Sequence, residues 1–206
     1  FEVYDDLFPS RREGVNAWIS IMRGCDKFCT FCIVPFTRGR ERSRSIDSIV
    51  DETIKAVEQG FVEITLLGQN VNSYRTPDGE FPQLLKAVAS VKGVKRLRYT
   101  SPHPKDIDTD LLEVMREYDN ICNYIHLPLQ AGSNRILKRM NRTYSKEEFL
   151  DLVDQIRAYL PDCSISTDII VGFPGETDDD FIETLNVMDE IKFDSAFNFK
   201  YSPRRG

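Results

Sequence analysis

Short apolar segments alternate with amphipathic segments along the whole chain, and this alternation limits the possible folds more than any other feature. Six apolar segments have the length and composition of β-strands. They are residues 17–22, 62–67, 94–100, 124–127, 164–171 and 195–200. Between Ile46 and Val57 apolar residues recur at helical spacing, with Ser45 as a suitable N-cap and Gly60 as a suitable stop. Further helices are predicted at residues 84–91, 111–118, 134–140, 146–160 and 179–191.

This order of elements predicts parallel β-α units joined by right-handed crossovers. A closed eight-unit barrel needs about 250 residues, whereas this chain has 206. Six units therefore suit either an incomplete barrel or an open doubly wound sheet, and the periodicity alone does not choose between them. In both architectures the carboxyl ends of the strands form the edge where functional sites are built.

Composition and charge exclude several classes of protein. The hydrophobic fraction of 41% is enough for a sizeable core, which excludes a wholly disordered chain. No apolar run reaches the roughly 18 residues of a membrane-spanning helix, and the first residues lack the apolar stretch of a signal peptide. The 27 Lys and Arg residues against 33 Asp and Glu residues give a net charge of −6. Any nucleic acid would therefore have to bind a local basic patch.

The ends of the sequence lead us to expect a fragment of a longer protein. The chain begins without Met and finishes on Arg204, Arg205 and Gly206. We expect residues 1–15 to form a linker or entry segment and residues 16–206 to form one core domain.

Three of the five cysteines lie within eight residues, as Cys25, Cys29 and Cys32 in a C-x-x-x-C-x-x-C pattern. Such crowding argues against a disulfide framework and for a metal site in a reducing compartment. Thiolates favour iron–sulfur clusters and zinc. Three thiolates on a tight loop bind three irons of a 4Fe-4S cluster and leave the fourth iron open. A zinc site completed by Cys122 or Cys163 is the alternative, although these two are more simply interpreted as small buried hydrophobes.

The sequence around these cysteines resembles a known family. A C-x-x-x-C-x-x-C pattern directly after the first strand is the signature of radical SAM enzymes. Residues 22–44, MRGCDKFCTFCIVPFTRGRERSR, resemble the methylthiotransferase branch of that family. Further matches are LGQNVNSY at 67–74, TSPHP at 100–104, HLPLQAGS at 126–133 and TDIIVGFPGET at 167–177. The resemblance implies an α/β fold, an incomplete (β/α)6 TIM-like barrel of parallel strands.

The same resemblance implies an activity. In the family, a 4Fe-4S cluster on Cys25, Cys29 and Cys32 binds S-adenosylmethionine at its open iron, and one-electron cleavage yields a 5′-deoxyadenosyl radical. The TRGRERSR run favours the branch that adds a methylthio group to C2 of N6-isopentenyladenosine at position 37 of tRNA. The alternatives are methylthiolation of threonylcarbamoyladenosine in tRNA or of a ribosomal-protein aspartate, and a non-catalytic, metal-containing RNA-binding module.

Several partners are implied as well. They are tRNA, bound through its anticodon loop, and a reducing electron donor. The protein itself is expected to be monomeric and cytoplasmic and not to bind a membrane. Family members carry a second, auxiliary 4Fe-4S cluster on a separate N-terminal domain and a C-terminal RNA-binding TRAM domain. We expect both domains to be missing from this chain, so that the isolated chain would not complete sulfur insertion.

Seven further residues match positions that surround the cofactor in the family. They are Phe31, Gln69, Asn70, Gln130, Asp168, Gly172 and Gly175. Phe31 matches an aromatic residue whose surroundings support the adenine, while Gln69 and Asn70 match a motif near the methionine end. Gln130 and Asp168 are placed to meet ribose hydroxyls, and the two glycines allow a close approach of the backbone to adenosine. Each residue also has a structural alternative, such as loop packing, a turn or a buried hydrogen bond.

Two groups of basic residues are candidates for RNA binding. The first group is Arg38, Arg40, Arg42 and Arg44, whose spacing suits an extended segment with one charged edge. Because it borders the cysteine motif, we predict that this group binds RNA. The second group is Arg135, Lys138, Arg139 and Arg142. Its helical spacing is typical of a solvated helix face.

Overall fold

The computed structural model describes residues 14–203. The predicted linker therefore lies outside the described residues up to position 13, as do the last three residues. The described chain divides into two compact units, the first made of residues 14–26 and 33–123 and the second of residues 27–32 and 124–203. Each unit contains its own three-stranded parallel sheet.

Besides two short 3₁₀ helices, Val71–Ser73 and Pro104–Asp106, the described part of the first unit contains eleven α-helices and β-strands. In chain order they are β1 (Asn16–Ser20), β2 (Met22–Arg23), α1 (Val34–Arg38), β3 (Arg42–Ser43), α2 (Ile46–Glu58), β4 (Glu63–Leu67), β5 (Arg75–Thr76), β6 (Gly79–Glu80), α3 (Phe81–Ala89), β7 (Arg96–Tyr99) and α4 (Thr109–Glu117). The sheet has the strand order β1-β4-β7, with all neighbours parallel. Its register aligns Ala17, Ile64 and Leu97, and all three side chains are fully buried. The pairs β2-β3 and β5-β6 are antiparallel.

Helices of the first unit begin where the sequence supplies a side-chain cap. Ser45 caps α2 as predicted, because its hydroxyl accepts a hydrogen bond from the backbone N–H three residues later. Asp108 caps α4 in the same way. The apolar stripe of α2 is the face that becomes buried, with Ile49 and Ala56 both inaccessible to solvent.

The second unit contains three helices and three strands. They are β8 (Tyr124–His126), α5 (Asn134–Arg139), α6 (Lys146–Tyr159), β9 (Ser164–Val171), α7 (Asp178–Ile191) and β10 (Ser195–Lys200). The sheet order is β10-β9-β8, again with parallel neighbours. Reciprocal capping boxes begin α6 at Ser145 and α7 at Thr177.

All six predicted strands are present in the described residues, and the bounds of β9 and β10 match the prediction. The helix predicted at 84–91 begins earlier, at Phe81, because Pro82 is compatible with a first helical turn. The sequence did not predict α1 or the two-residue strands β2, β3, β5 and β6. Segments this short carry no periodicity, and their pairing depends on residues distant in the chain. No helix in the described part of the chain is long and apolar enough to cross a membrane.

Candidate metal centre and cofactor site

The cysteine motif lies in the connection between the paired strands β2 and β3, which are joined by the register Arg23 to Arg42. In the first unit, the start of this connection is held by hydrogen bonds that its backbone N–H groups donate. The Gly24 N–H donates to Gln69 Oε1 at 2.7 Å, and the Cys25 N–H donates to the Gly39 carbonyl at 3.2 Å. The predicted cofactor residue Gln69 therefore fixes the residue that precedes the first cysteine.

Gly24 is required by this geometry. Its φ angle is +83°, a conformation that L side chains rarely adopt, and an added Cβ would lie 2.1 Å from the Arg40 carbonyl oxygen. The MRGC motif thus needs a residue without a side chain directly before Cys25.

Asn70 follows β4 and is buried, with 1% of its surface exposed. Its Nδ2 donates to Asp106 Oδ2 at 2.8 Å. Its Oδ1 has no hydrogen-bond partner among the residues that the structure describes. Asp106 also lines a cavity of about 420 Å³ in the first unit, together with Asn72 and Lys105. A buried amide oxygen without a partner is costly, so it indicates a position that is completed by a ligand or by water.

In the second unit, residues 27–32 are held against the segment that follows α5. The Thr30 N–H donates to the Met140 carbonyl at 3.0 Å, and the Thr30 hydroxyl donates to the Arg139 carbonyl at 3.0 Å. Asn141 Nδ2 donates to the Phe28 carbonyl at 2.9 Å. The Cys32 N–H donates to the Cys29 carbonyl at 2.9 Å, which closes a tight turn between these two cysteines. These hydrogen bonds, most of which use backbone groups of the loop, hold residues 27–32 in their conformation.

Arg142 directly contacts a cysteine of the motif. Its Nη1 donates to Cys29 Sγ at 3.3 Å, its Nη2 donates to the Pro128 carbonyl at 3.0 Å, and its Nε donates to the Tyr144 hydroxyl at 2.9 Å. Burial disfavours the charged guanidinium, but Tyr144 and Cys29 outweigh that effect and raise the pKa of Arg142. Burial raises the pKa of Tyr144 to about 12. The guanidinium is therefore a permanent positive charge beside Cys29.

All five cysteines are free thiols, and all five are half-buried. The expectation that Cys122 and Cys163 are small buried hydrophobes is therefore wrong, because each keeps part of its surface in solvent. Burial nevertheless raises the pKa of the Cys163 thiol to about 11, which disfavours it as a metal ligand.

Within residues 14–203, no three His, Cys, Asp or Glu side chains converge on a metal position.

The predicted cofactor residues Gln130 and Asp168 lie beside each other in the second unit. The Gln130 N–H donates to the Asp168 carbonyl at 2.8 Å, and the Gln130 carbonyl accepts from the Ile170 N–H at 2.9 Å. The Asp168 carboxylate lies 3.2 Å from His126 Nε2, and His126 Nδ1 lies 2.8 Å from the Ser166 hydroxyl. Sequence reasoning did not include His126 among the site residues, although it is one of two histidines and lies in the strand predicted at 124–127.

The two glycines after β9 occupy a turn. Gly172 has φ +76°, and an added Cβ would meet nothing within 4 Å. The Glu176 carboxylate accepts hydrogen bonds from the backbone N–H groups of Gly172 and Phe173. Gly175 lies against the guanidinium of Arg139.

Phe31 is half-buried in the loop between Cys29 and Cys32.

The first arginine group is divided between two roles. Arg38 ends helix α1 and is exposed, and Arg40 is 72% exposed while pairing with Asp26 at 3.2 Å. Arg42 is half-buried in β3. The prediction of one extended segment is therefore wrong for Arg38, whose helix ends at the positive-φ residue Gly39.

The prediction that Arg44 binds RNA is wrong. It is 7% exposed, and its Nη1 lies 2.7 Å from Glu52 Oε2 and donates to the Ser20 carbonyl at 2.8 Å. Its backbone carbonyl accepts a hydrogen bond from the Tyr74 hydroxyl. A guanidinium that is buried against a carboxylate is not available to phosphate, so Arg44 is a structural residue.

The second arginine group also differs from its expectation. Lys138 and Arg139 are exposed as predicted, and Arg135 is half-exposed in an ion pair with Asp180. Arg142 is not on a solvated face, because it turns inward to Cys29. The helical spacing did not reveal this, since Arg142 follows the end of α5 and Asn141 between them has φ +56°.

Residues 19–188 match the profile of the Radical SAM superfamily. The chain belongs to the radical SAM superfamily. The match includes the cysteine motif, the strand-end residues Gln69 and Asn70, and the turn at Gly172.

Curated radical SAM relatives confirm the resemblance to methylthiotransferases. A tRNA-2-methylthio-N(6)-dimethylallyladenosine synthase from Acetivibrio thermocellus is 50% identical over 208 residues, which cover 100% of this chain and 43% of the relative. The protein of the same name from Thermodesulfovibrio yellowstonii is 52% identical and covers 98% of this chain and 47% of the relative. That from Porphyromonas gingivalis is 52% identical over 211 residues. The chain spans about half the length of these curated relatives.

Solved structures show the fold. The radical S-adenosylmethionine methyltransferase TsrM from Kitasatospora setae superposes with a TM-score of 0.72 at 16% identity, over 89% of this chain and 36% of that chain. Methylornithine synthase PylB superposes with a TM-score of 0.64 at 18% identity, over 93% of this chain and 54% of that chain. The predicted incomplete (β/α)6 TIM-like fold of parallel strands is therefore confirmed, and the open doubly wound sheet is excluded.

Radical SAM membership implies a 4Fe-4S cluster and S-adenosylmethionine, and the residues present fit both. The motif supplies three free, half-buried thiols, one of them beside a cationic side chain. Soft thiolate donors suit iron–sulfur clusters. The buried Asn70 Oδ1 is a polar atom that a cofactor would satisfy.

Proposed function

We propose that this chain is the radical SAM core of a tRNA methylthiotransferase, an enzyme that adds a methylthio group to C2 of N6-isopentenyladenosine at position 37 of tRNA. The observation that carries the proposal is an identity of 50–52% to synthases of that name over nearly the whole chain. The TRGRERSR run, which supplies the exposed Arg38 and Arg40, supports the choice of a tRNA substrate over a protein substrate.

Cys25, Cys29 and Cys32 would hold the 4Fe-4S cluster through three irons, leaving the fourth iron for S-adenosylmethionine. When bound, the cluster and S-adenosylmethionine supply a one-electron cleavage of the sulfonium that yields a 5′-deoxyadenosyl radical. The sulfur that is inserted would come from a second 4Fe-4S cluster on a separate N-terminal domain of the complete protein. A C-terminal TRAM domain would add RNA contacts.

The residues of the first unit orient the cofactors. Gln69 holds the Gly24 N–H and so sets the direction in which the chain enters the cysteine motif. Asn70 Oδ1 would accept a hydrogen bond from the ammonium group of S-adenosylmethionine, while its Nδ2 stays anchored on Asp106. Both contacts favour one orientation of the sulfonium.

The residues of the second unit would bind the nucleoside part of the cofactor. The Asp168 carboxylate, oriented by His126, is an acceptor for ribose hydroxyls, and the neighbouring Gln130 offers an amide. Phe31 would pack near the adenine. The open space beside Gly172 leaves room for the adenosine to approach the backbone.

The RNA partner would be an anticodon loop, whose bases are more easily splayed than those of a duplex. Of the first group, Arg38 and Arg40 have exposed side chains and Arg42 is half-buried, and these three would contact phosphates, since the guanidinium fork matches phosphate bidentately. We also propose that the protein receives electrons from a low-potential donor, is located in the cytoplasm and is a monomer.

The cofactor chemistry is tested by reductive cleavage of S-adenosylmethionine. The chain is reconstituted anaerobically with iron and sulfide, reduced with dithionite, and assayed for 5′-deoxyadenosine by chromatography. We expect cleavage by the unaltered chain and none after Cys25→Ala, Cys29→Ala or Cys32→Ala. Cys122→Ala is the matched control, because Cys122 is a half-buried free thiol outside the motif. Normal cleavage by any of the three motif variants would refute the assignment.

The substrate is tested on the complete protein that the gene encodes. Mass spectrometry of nucleosides from treated tRNA should reveal 2-methylthio-N6-isopentenyladenosine. A product on threonylcarbamoyladenosine instead would move the protein to another branch of the family, and the absence of any nucleoside change would reject a tRNA substrate.

A further inference from the structure

A cationic side chain is built against one of the motif sulfurs, and nothing in the spacing of the cysteines predicts it. Arg142 is fixed by three contacts through its three nitrogens, to Cys29 Sγ, the Pro128 carbonyl and the Tyr144 hydroxyl. Its guanidinium also lies 4.9 Å from the centroid of the Tyr144 ring. The orientation of the Nη1 donor toward the sulfur is therefore determined by the surrounding structure.

Tyr144 is itself held in place. Its single hydroxyl hydrogen is shared between the carbonyls of Pro128 and Leu129, both at 2.9 Å, and only 6% of its surface is exposed. The contact between Arg142 and Cys29 is thus supported by a second layer of hydrogen bonds, as is usual for side chains that orient metal ligands.

The charges around Arg142 distinguish it from an ordinary buried ion pair. Within the described chain, its hydrogen-bond partners are a carbonyl, a phenol and a thiol, and no carboxylate is among them. Arg44, in contrast, is neutralised by Glu52 at 2.7 Å. A half-buried positive charge without a carboxylate is stabilised when the sulfur beside it becomes an anionic ligand.

We propose that Arg142 is a positioning residue for the metal centre, which orients the Cys29 sulfur and raises the reduction potential of a 4Fe-4S cluster bound there. This inference rests on the proposed role of Cys29 as a cluster ligand. The step affected is the transfer of one electron from an external low-potential donor to the bound cluster. The donor is oxidised by one electron, the cluster is reduced by one electron, and no bond forms or breaks.

The physical reason is that reduction adds negative charge next to the guanidinium. Hydrogen bonds to the ligating sulfurs and nearby positive charge both favour the reduced form of an iron–sulfur cluster. A hydrogen bond to a charged group is worth enough to shift an equilibrium about tenfold. Loss of Arg142 should therefore lower the ratio of reduced to oxidised cluster at a fixed potential by about that factor.

The experiment compares Arg142→Gln, Arg142→Lys and Lys138→Gln in the anaerobically reconstituted chain. Lys138 is the matched control, because it is an exposed cation on α5, the helix that ends shortly before Arg142. The midpoint potential is measured by titration with dithionite and redox mediators, followed by electron paramagnetic resonance, and the iron content is measured in parallel. We expect Arg142→Gln to shift the potential to a more negative value, Arg142→Lys to shift it part of the way, and Lys138→Gln to leave it unchanged.

The outcomes separate this inference from the proposed function. If Arg142→Gln and Arg142→Lys bind a full cluster with the potential of the unaltered chain, the inference is wrong while the proposed function stands. If the unaltered chain binds no cluster through its motif cysteines, both are wrong. If Arg142→Gln does not fold, Arg142→Lys decides the question, and an unchanged potential in that variant overturns the inference.

Discussion

Arg44 is buried and Arg142 is half-buried, and the two side chains have opposite surroundings. Arg44 lies between a carboxylate, a backbone carbonyl and a serine hydroxyl, so its charge is balanced within the first unit. Arg142 has a carbonyl, a phenol and the Cys29 thiol around it in the second unit, so its charge is not balanced by any carboxylate in the described chain. The first arrangement stabilises the fold, whereas the second keeps a positive charge available for a ligand.

This difference shows how two arginines that are wholly or partly removed from solvent are to be distinguished. Position next to the cysteine motif favours Arg44 as the functional residue, and helical spacing favours Arg142 as a surface residue. The hydrogen-bond partners of the two side chains reverse both assignments, because Arg44 is paired with a carboxylate and Arg142 contacts Cys29. A buried guanidinium with a carboxylate is a closed ion pair, while one without a carboxylate indicates that an anion completes its surroundings.

The largest effect is expected for Arg44→Ala. Removing the guanidinium takes away the positive charge that lies 2.7 Å from the buried Glu52 carboxylate, which costs about 3–5 kcal/mol of unfolding free energy. Urea denaturation at pH 7 measures the loss. The double variant Arg44→Met, Glu52→Leu should recover most of it, because no charge then remains buried. A loss below about 1 kcal/mol would mean that the Arg44–Glu52 pair contributes no more than an exposed ion pair, and the contrast with Arg142 would be lost.

A smaller and pH-dependent effect is expected for Asp180→Asn. Arg135, together with Ser133 and Thr177, holds the pKa of Asp180 well below its usual range. Because the pKa is lower in the folded state, the carboxylate stabilises the fold above the unfolded pKa of about 4, and this stability is lost as pH falls through the folded pKa.

Asp180→Asn should therefore cost about 1–3 kcal/mol at pH 7, and the cost should shrink as the pH is lowered below about 4. Stability curves at several pH values provide the measurement. Asp179→Asn, an exposed residue in the same helical turn, serves as the control. Equal losses at pH 7 and pH 3 would contradict the assigned cause.

Arg142→Gln should affect stability less than Arg44→Ala, by about 1 kcal/mol. The reason is that no carboxylate is left behind, and the Pro128 carbonyl keeps its hydrogen bond from Tyr144. Thermal unfolding of the metal-free chain tests this. A loss as large as that of Arg44→Ala would mean that Arg142 is chiefly structural and would weaken the comparison.

The smallest effect on stability, within about 0.5 kcal/mol, is expected for Arg38→Gln and Arg40→Gln, because both side chains are exposed. If they contact phosphates, each substitution should weaken tRNA binding and reduce the salt dependence of log K by about one unit. Binding is measured at several salt concentrations, with the exposed Arg116→Gln on α4 as control. Unchanged salt dependence would show that this arginine group does not bind RNA.

Most of the fold was predictable because strands and helices carry their own periodicity. The stripe from Ile46 to Val57 and the cap at Ser45 determine α2 locally, and the structure agrees. The antiparallel pair β2-β3 was not predictable, since it joins Arg23 to Arg42 across the cysteine motif. Two-residue strands have no pattern of their own and exist only through such pairing.

For the site, residue types were predictable and partners were not. The thiols of the motif and the polar residues Gln69 and Asn70 stand out in the sequence. That Gln69 Oε1 holds the Gly24 N–H, 45 positions earlier in the chain, is visible only in the structure. The same holds for Arg142 and Cys29, which are 113 positions apart.

The sequence by itself therefore determined the alternation of strands and helices, the three thiols and the family to which they belong, because each of these depends on residues close together in the chain. Only the tertiary structure decided which guanidinium is neutralised and which one faces a sulfur. The physical reason is that a charge is stabilised by whatever the fold places within a few ångströms of it, and those neighbours come from distant parts of the chain.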